Sequence, residues 1–217
     1  MHTIAFVTQK GGAWKSTLAA CLGVAASEAG EKVFMLDLDP QASLLGWGQA
    51  RPAETPEVDT IAPAKLEAAL ATLSDGGYTL AIIDTPGTDS PAAAAAMKAA
   101  DLCLIPCRPS TFDIRASQTT CDTIRALGRT FAFVLNQCPA GARVSRTNDG
   151  ARALELMGGL VLPPVISRVD YQSAALAGLG VTEVNPTGKA AEEVRELWSS
   201  VNRRLGGTKH GKARRFA

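Results

Sequence analysis

Short apolar stretches rich in β-branched and aromatic residues alternate along this chain with longer stretches whose apolar residues recur at helical spacing. This alternation is typical of α/β folds, in which helices cover both faces of a mostly parallel, twisted sheet. We therefore predict an α/β fold of that kind. The apolar stretches predict strands at residues 3–8, 32–38, 79–84, 102–106, 131–136 and 160–166.

The segments between these strands predict helices at residues 15–29, 64–74, 91–99, 112–127, 149–157 and 189–205. The pattern is clearest in the last helix, whose large apolar residues fall on one stripe: Val194, Leu197, Trp198, Val201 and Leu205. We expect this stripe to pack inward. Gly206 and Gly207 are expected to end the helix, because glycine readily adopts the left-handed conformation that follows many helices.

The distribution of prolines and charges predicts the domain organisation. Residues 51–63 contain three prolines and several acidic residues, and we interpret them as a surface connection. We expect one domain over residues 1–205 and a flexible basic tail over residues 206–217. Residues 203–217 hold six of the 22 basic residues and no acidic one, which leaves 16 basic against 21 acidic residues elsewhere. This segment is a candidate contact for a polyanion.

The overall composition excludes several classes of protein. Of the 217 residues, 46% are hydrophobic and 20% are charged, which argues against a disordered or fibrous chain. No apolar run reaches the roughly 20 residues that cross a bilayer, so we expect no transmembrane helix. The first residues lack the basic start and the small-residue cleavage site of a secretory signal. We therefore expect a cytoplasmic protein.

Five cysteines are scattered along the chain, at Cys21, Cys103, Cys107, Cys121 and Cys138. They form no Cys-x-x-Cys pair and have no adjacent histidine, so we interpret them as reduced thiols of the core. A metal site at Cys103 and Cys107 is the alternative. It is disfavoured because the residues between these cysteines resemble the end of a buried strand.

The most informative segment follows the first predicted strand and opens the first predicted helix: residues 9–17 read Gln-Lys-Gly-Gly-Ala-Trp-Lys-Ser-Thr. A loop in this place binds phosphate because backbone N–H groups and the positive end of the helix converge on the anion. Lys15 is expected to reach the terminal phosphates of a nucleotide, and the Ser16 hydroxyl to ligate Mg²⁺. Thr17 is expected to cap the helix or pack beside it.

The pattern Lys10-Gly-Gly-x-x-Lys15-Ser16-Thr17 resembles the deviant Walker A loop of the ParA/MinD family of P-loop ATPases, and further matches are found at residues 37–41, 82–87, 106–113 and 185–190. The resemblance spans residues 3–205 and implies the P-loop NTPase fold with ATP and Mg²⁺ as cofactors. It also implies a homodimer that encloses ATP, in which Lys10 contacts the phosphates of the partner subunit's nucleotide. The implied nucleotide-binding residues of the loop are Lys10, Gly11, Gly12, Ala13, Trp14, Lys15, Ser16 and Thr17.

Trp14 departs from the family pattern, which has glycine at this position. Glycine suits a backbone that curls closely around phosphates. The indole either points outward, toward a partner subunit or a base, or fills the space of the phosphates and impairs binding or turnover. An engineered or accidental single-residue change is a further interpretation.

Three aspartates lie at the carboxyl ends of predicted strands, where ligands collect in α/β sheets: Asp37, Asp39 and Asp84. Phosphoryl transfer needs a magnesium ion and a group that orients the attacking water. The resemblance implies that Asp84 holds Mg²⁺ with Ser16, that Asp37 supports the metal shell, and that Asp39 positions the water. The predicted catalytic set is Lys10, Lys15 and Asp39. Capping of turns by these aspartates is the alternative.

Base recognition is predicted at the end of the fifth strand. Asn136 offers both a donor and an acceptor to adenine. The guanine signature Asn-Lys-x-Asp is absent, because residues 136–139 read Asn-Gln-Cys-Pro, and this favours ATP over GTP. Ser167 and Arg168 resemble the second adenine-side loop of the family.

The resemblance also implies how ATP would be used. Family members switch between a monomer and an ATP-bound dimer that binds a surface, and a partner then stimulates hydrolysis. For this chain we expect nonspecific DNA as the surface, and the predicted DNA contacts are Arg195, Arg203, Arg204, Arg214 and Arg215. The tail holds one large apolar residue, so stable membrane insertion is not expected. The implied partner is a ParB-like or cargo-linked activator, with nucleoid association in the ATP-bound state.

Two other functions are kept open. One is a metallocentre-assembly or reductase-type ATPase with paired cysteines at the dimer face. The other is a nucleotide-dependent binding module in which Trp14 has removed hydrolysis. The sequence does not identify the cargo, which in this family is a plasmid, a chromosome or a protein assembly.

Overall fold

The computed structural model describes residues 1–141, 144–161 and 163–206, and the strands in this part of the chain form one parallel sheet. They are β1 (His2–Phe6), β2 (Val33–Asp37), β3 (Glu57–Thr60), β4 (Leu80–Asp84), β5 (Leu102–Cys107), β6 (Phe131–Leu135) and β7 (Leu160–Val161). Their order across the sheet is β3-β2-β4-β1-β5-β6-β7. Every described pair is parallel, which confirms the predicted sheet.

The described helices connect these strands and cover both faces of the sheet. They are α1 (Lys15–Glu28), α2 (Ser43–Ala50), α3 (Leu66–Asp75), α4 (Pro91–Ala99), α5 (Thr111–Ala126), α6 (Val144–Glu155), α7 (Val169–Leu176), α8 (Val181–Val184) and α9 (Lys189–Arg204). A 3₁₀ turn at Pro63–Lys65 leads into α3.

The core has two layers, one on each face of the sheet, because side chains of a strand point alternately to opposite faces. In β1, Ile4 and Phe6 pack with α1 and α9 on one face, whereas Ala5 packs with α4 and α5 on the other. The apolar stripe of α9 lies in the first layer, where Val194 and Trp198 are buried, as the sequence predicts. Gly206 follows α9 with φ +78°, in agreement with the predicted end of this helix.

Four described elements lie where the sequence pattern predicts none: α2, β3, α7 and α8. The surface connection predicted at 51–63 is therefore wrong in part, since Glu57–Thr60 pairs with β2 as a polar edge strand. Its mostly exposed side chains carry no alternating apolar signal. The sixth helix begins at Val144, five residues before the prediction, and the last strand ends at Val161.

The tail and the membrane prediction are only partly covered by the structure. Residues 207–217 lie outside the described residues, so the domain at 1–205 and the flexible tail stay predictions. Among the residues that the structure describes, no helix has the length and apolar character needed to span a membrane.

Candidate nucleotide-binding site

The loop between β1 and α1, called the phosphate loop below after its predicted role, leaves the carboxyl end of the central strand of the sheet. Gly11 and Gly12 are exposed at its tip, Ala13 is buried, and α1 begins at Lys15. Gly12 has φ +74°, a conformation that glycine adopts without steric cost. The loop therefore presents backbone to solvent directly in front of the positive end of a 14-residue helix.

Trp14 adopts the backbone conformation that explains the usual glycine at this position. Its φ of 57° and ψ of 32° lie in the left-handed region, where a side chain costs roughly 1 to 2 kcal/mol. The indole is half-buried and its ring centroid lies 5.6 Å from that of Tyr171 in α7, with a 40° angle between the planes. The side chain thus packs against its own chain, an arrangement that the sequence analysis did not foresee.

Lys15, Ser16 and Asp84 come together at the start of α1. The Ser16 hydroxyl donates to Asp84 Oδ2 at 2.5 Å, and Asp84 Oδ1 is buried without a hydrogen-bond partner among the described residues. Burial raises the pKa of Asp84 to about 7, although Ser16 and Lys15 oppose this shift. Burial also lowers the pKa of Lys15, against the attraction of Asp84 and Asp39. The site therefore holds an amine, a hydroxyl and a carboxylate at one end of the loop.

Asp37 and Asp39 lie at the end of β2, beside this group. Asp37 is buried, and its carboxylate accepts backbone N–H bonds from Asp39 at 2.9 Å, Leu44 at 2.9 Å and Leu45 at 3.0 Å. Asp37 thereby caps the start of α2, a role similar to the turn capping that the sequence analysis gave as the alternative for these aspartates. Asp39 is half-buried, and its Oδ1 accepts the backbone N–H of Gln41 at 3.0 Å. The metal-shell and water-positioning roles of these aspartates stay predictions.

Lys10 is ion-paired within the chain. Its Nζ lies 3.2 Å from Asp113 Oδ2, and Arg108 Nε lies 3.0 Å from Asp113 Oδ1. Burial alone would raise the pKa of Asp113, but hydrogen bonds from Ser110, Arg108 and Lys10 outweigh it and hold this pKa below its usual value. These residues line a cavity of about 450 Å³ next to the loop. The sequence analysis matched Asp113 to the family motif at residues 106–113 but gave this residue no role. The structure shows that it is a neighbour of Lys10.

The end of β6 contacts the phosphate loop from the side. Asn136, which is buried, donates from Nδ2 to the Ala13 carbonyl oxygen at 2.6 Å, and Gln137 donates from Nε2 to the Gly12 carbonyl oxygen at 2.9 Å. Sequence reasoning missed Gln137, because no local pattern connects it to a loop 125 positions away. Asn136 was expected to face adenine, and that role stays a prediction beside its observed bond to the loop.

Gly87 approaches the same loop from the end of β4. A Cβ added at Gly87 would lie 3.0 Å from Gly11 Cα and 3.1 Å from Gly11 N, tighter than most packed contacts, so the loop backbone would have to shift to admit it. Glycine at this position therefore permits the close approach of the two backbones. The segment that follows β4 is thus in direct contact with the phosphate loop.

The predicted adenine-side residues lie next to the β6 end. Cys138 pairs with Ile166, and the Ser167 backbone N–H donates to the Cys138 carbonyl at 2.8 Å. Ser167 is exposed, whereas Arg168 forms an ion pair with Glu193 of α9 at 2.5 Å. Arg168 is therefore engaged with α9 in this structure, and its predicted contact with the base is not tested.

The predicted DNA-binding arginines are distributed along α9 and the tail. Arg195 Nη2 lies 3.3 Å from Glu28 Oε2, and Arg195 Nη1 donates to the Pro186 carbonyl at 2.6 Å. Arg203 and Arg204 are exposed near the end of α9. Arg214 and Arg215 lie outside the described residues. The structure therefore gives a position for three of the five arginines and shows that Arg195 is partly neutralised by Glu28.

The cysteines occupy interior positions. All five are buried, and Cys103 and Cys107 lie in β5 with side chains in the second core layer. Burial raises the pKa of these two thiols to about 12 and about 11, which keeps them protonated at neutral pH. Packing thus accounts for both residues. In the described ranges, no three His, Cys, Asp or Glu side chains are grouped as metal ligands.

The residues at the loop fit a magnesium-bound nucleoside triphosphate. The donor set is oxygen from Ser16 and Asp84, which suits Mg²⁺, and the unpartnered Asp84 Oδ1 is an acceptor available to a ligand shell. The loop amides and Lys15 supply the complementary groups for phosphate. This arrangement can bind a phosphate ester and offset its charge.

Sequence comparison finds a matching family and related proteins over most of the chain. Residues 4–181 match the model of the CobQ/CobB/MinD/ParA nucleotide binding domain. The chain is 31% identical to Protein ParA of Rhizobium radiobacter over 80% of this chain and 82% of that protein. It is 26% identical to Maintenance of carboxysome distribution protein A of Halothiobacillus neapolitanus, over 92% of this chain and 95% of that protein.

Solved structures agree on the fold. Apo McdA of Cyanthece superposes with a TM-score of 0.78 at 19% identity and covers 95% of this chain and 100% of that one. The cell division ATPase MinD of Pyrococcus furiosus superposes with a TM-score of 0.75 at 20% identity, over 93% of this chain and 98% of that one. The phosphate loop, the fold and the match over residues 4–181 together establish that the chain belongs to the CobQ/CobB/MinD/ParA nucleotide-binding domain family.

Proposed function

We propose that this chain is an ATPase that binds Mg²⁺-ATP at the loop formed by residues 10–17 and uses it as a positioning switch. The observation that carries the proposal is the group formed by Lys15, Ser16 and Asp84, which joins the loop to the carboxyl end of β4. Membership of a family of nucleotide-binding ATPases supports the same conclusion. A structural neighbour, an McdA variant, is described as a complex with ATP.

Each residue of the site has a distinct part in this proposal. Lys15 and the loop amides bind the terminal phosphates. Ser16 and Asp84 would hold Mg²⁺, whose charge, when the ion is bound, offsets that of the phosphates. Asp39 orients the attacking water, and the Asp37 carboxylate keeps the Asp39 segment in place through the bond that it accepts from the Asp39 N–H.

The first experiment measures nucleotide binding by calorimetry. Wild type is expected to bind Mg²⁺-ATP more tightly than Mg²⁺-GTP, and Lys15→Ala is expected to abolish binding because it removes the buried cation of the loop. Lys98→Ala, which removes an exposed lysine of α4, is the matched control. Equal binding by Lys15→Ala and the control would contradict the proposed site.

A second experiment separates binding from hydrolysis. Asp39→Ala is expected to bind Mg²⁺-ATP as wild type does but to release no phosphate, because the water is no longer oriented. The exposed Asp75 of α3 gives the control variant, Asp75→Ala. Phosphate release by Asp39→Ala at the wild-type rate would remove Asp39 from the catalytic role.

The proposed switch is a monomer that becomes an ATP-enclosing homodimer, with Lys10 reaching the nucleotide of the partner. For this contact Lys10 must leave Asp113, so dimer formation exchanges one anion for another around the same ammonium group. Sedimentation velocity is expected to show a dimer with Mg²⁺-ATP and a monomer without it. Lys10→Ala is expected to remain a monomer in both, and a nucleotide-independent mass would refute the switch.

The proposed surface is nonspecific DNA, contacted by Arg195, Arg203, Arg204, Arg214 and Arg215, and the cargo is positioned with a ParB-like or cargo-linked activator. Similarity to Protein ParA and to a carboxysome distribution protein supports this kind of task. Binding through phosphates releases counterions, so DNA retention is expected to weaken steeply as salt rises. Retention that does not change with salt would argue against these contacts.

A further inference from the structure

Two side-chain amides at the end of β6 hold two consecutive carbonyls of the phosphate loop. Gln137 donates to the Gly12 carbonyl and Asn136 donates to the Ala13 carbonyl. Both amides come from one rigid strand end, since the Asn136 backbone N–H donates to the Cys107 carbonyl at 2.9 Å and Cys138 pairs with Ile166. The loop is therefore attached at two successive peptide units to the sheet itself.

These attachments determine the direction of the loop amides. In a trans peptide the C=O and the following N–H point in opposite directions. A Gly12 carbonyl turned toward Gln137 directs the Ala13 N–H away from β6, and an Ala13 carbonyl turned toward Asn136 directs the Trp14 N–H in the same sense. Anion binding needs N–H groups that converge on the ligand and carbonyls that face away from it.

The backbone conformation of the contact residues agrees with a constrained arrangement. Among the described residues, Trp14, Ala42 and Gln137 are the non-glycine residues with positive φ. Gln137, with φ 49°, is a partner in the contact, and Trp14 is the residue that directly follows Ala13 in the loop. Such conformations persist where surrounding contacts impose them, and they concentrate at binding sites.

We propose that Gln137 is a positioning residue for the phosphate loop and that Asn136 acts beside it in the same way. The inference rests on the proposed nucleotide-binding function and deepens it, because it concerns the phosphates and not the base. It gives the β6 end a task that is the same for every nucleotide. Base recognition by Asn136 would instead act on adenine alone.

The test compares a ligand that has a base with one that has none. Mg²⁺-ATP, Mg²⁺-GTP and magnesium-loaded inorganic tripolyphosphate are titrated into wild type, Gln137→Met and Gln137→Ala. Methionine keeps the length of glutamine and removes the amide donor. Gln118→Met is the matched control, since Gln118 lies on the exposed face of α5 and donates to Asp122.

Loss of one hydrogen bond that orients the loop is expected to weaken all three ligands by the same factor, roughly three- to tenfold. The ratio of the ATP and GTP affinities is expected to stay at the wild-type value. Unchanged affinities in both Gln137 variants would overturn the proposal. A change in the ATP to GTP ratio with tripolyphosphate binding unaffected would also overturn it, in favour of a role at the base.

A second measurement tests, without nucleotide, whether Gln137 and Asn136 hold the loop. The Leu18 backbone N–H donates to the Trp14 carbonyl at 2.9 Å, so its hydrogen exchange reports whether the loop stays in register with α1. Gln137→Met is expected to exchange faster than wild type at this amide, with Gln118→Met unchanged; equal rates would overturn the proposal. If wild type binds none of the ligands, the proposed function is refuted. The exchange measurement would then decide, independently of nucleotide binding, whether Gln137 positions the loop.

Discussion

Replacement of Trp14 by glycine and by alanine measures the strain stored in the phosphate loop. Both variants lose the indole and its contact with Tyr171, so their difference in free energy of unfolding contains no contribution from the ring. Alanine keeps the cost of a Cβ at φ 57°, whereas glycine relieves it. The comparison therefore isolates the backbone conformation.

The magnitude follows from a control pair at Gln118, which lies within α5 in ordinary helical conformation. There, alanine is expected to be more stable than glycine by about 1 kcal/mol. The greater freedom of glycine in the unfolded chain is common to both sites and cancels when the two differences are compared. What is left is the left-handed cost at position 14, roughly 1 to 2 kcal/mol, so the advantage of alanine over glycine is expected to be cancelled or reversed there.

The assay is equilibrium unfolding in urea for the four variants, without nucleotide and at one pH. An unchanged dependence on urea would show that the denatured states are comparable. If alanine is favoured over glycine at position 14 by as much as at position 118, Trp14 does not carry the strain and the reasoning is refuted. Because the indole packs on Tyr171, we also expect Trp14→Gly to bind Mg²⁺-ATP about as tightly as wild type; much tighter binding would show that the ring obstructs the phosphates.

Three further predictions concern the surroundings of the loop. The folded pKa of Asp84, about 7, lies above the ordinary value of 3.8, so its contribution to stability is full below pH 3.8 and is lost as pH rises toward 7. Urea unfolding of Asp84→Asn across this window should lack that loss, which is on the order of 4 kcal/mol. Gly87→Ala should weaken Mg²⁺-ATP binding in calorimetry because its Cβ meets Gly11 backbone; Gly46→Ala, where the added Cβ meets open space, should not. Asp113→Asn should lower the free energy of unfolding at pH 7 by roughly 2 kcal/mol, because the charged bonds to Arg108 and Lys10 are lost. The depressed pKa of Asp113 means that this stabilisation is present above pH 3.8 and is lost as pH falls below it, so the variant and wild type should converge in acid.

Local patterns predicted the parts of the molecule whose cause is local. The apolar stretch that forms β1 and the apolar stripe of α9 are each visible in the residues of the segment itself. The phosphate loop was identified from its own residues, and its strand and helix flank it as expected. The approach of Ser16 to Asp84 also followed, because the carboxyl ends of parallel strands meet at one edge of the sheet.

Elements that depend on distant partners were not predicted. Helix α2 contains two glycines and only a weak helical pattern of apolar residues. Its first backbone N–H groups bond to the Asp37 carboxylate, and no pattern in the sequence connects Asp37 to this helix. Strand β3 is polar and exists as an edge because β2 lies beside it. In both, tertiary contacts outweigh the local propensity of the chain.

The sequence by itself determined the fold class, the order of most elements and the place of the phosphate loop between its strand and its helix, since these follow from periodicity and from the kinds of residue present. The tertiary structure alone decided that Trp14 packs on Tyr171, that Lys10 pairs with Asp113, and that amides 123 and 125 positions away hold the loop. The physical reason is that a side chain with several polar or aromatic neighbours within reach chooses among them by geometry. That geometry exists only after the strands have assembled.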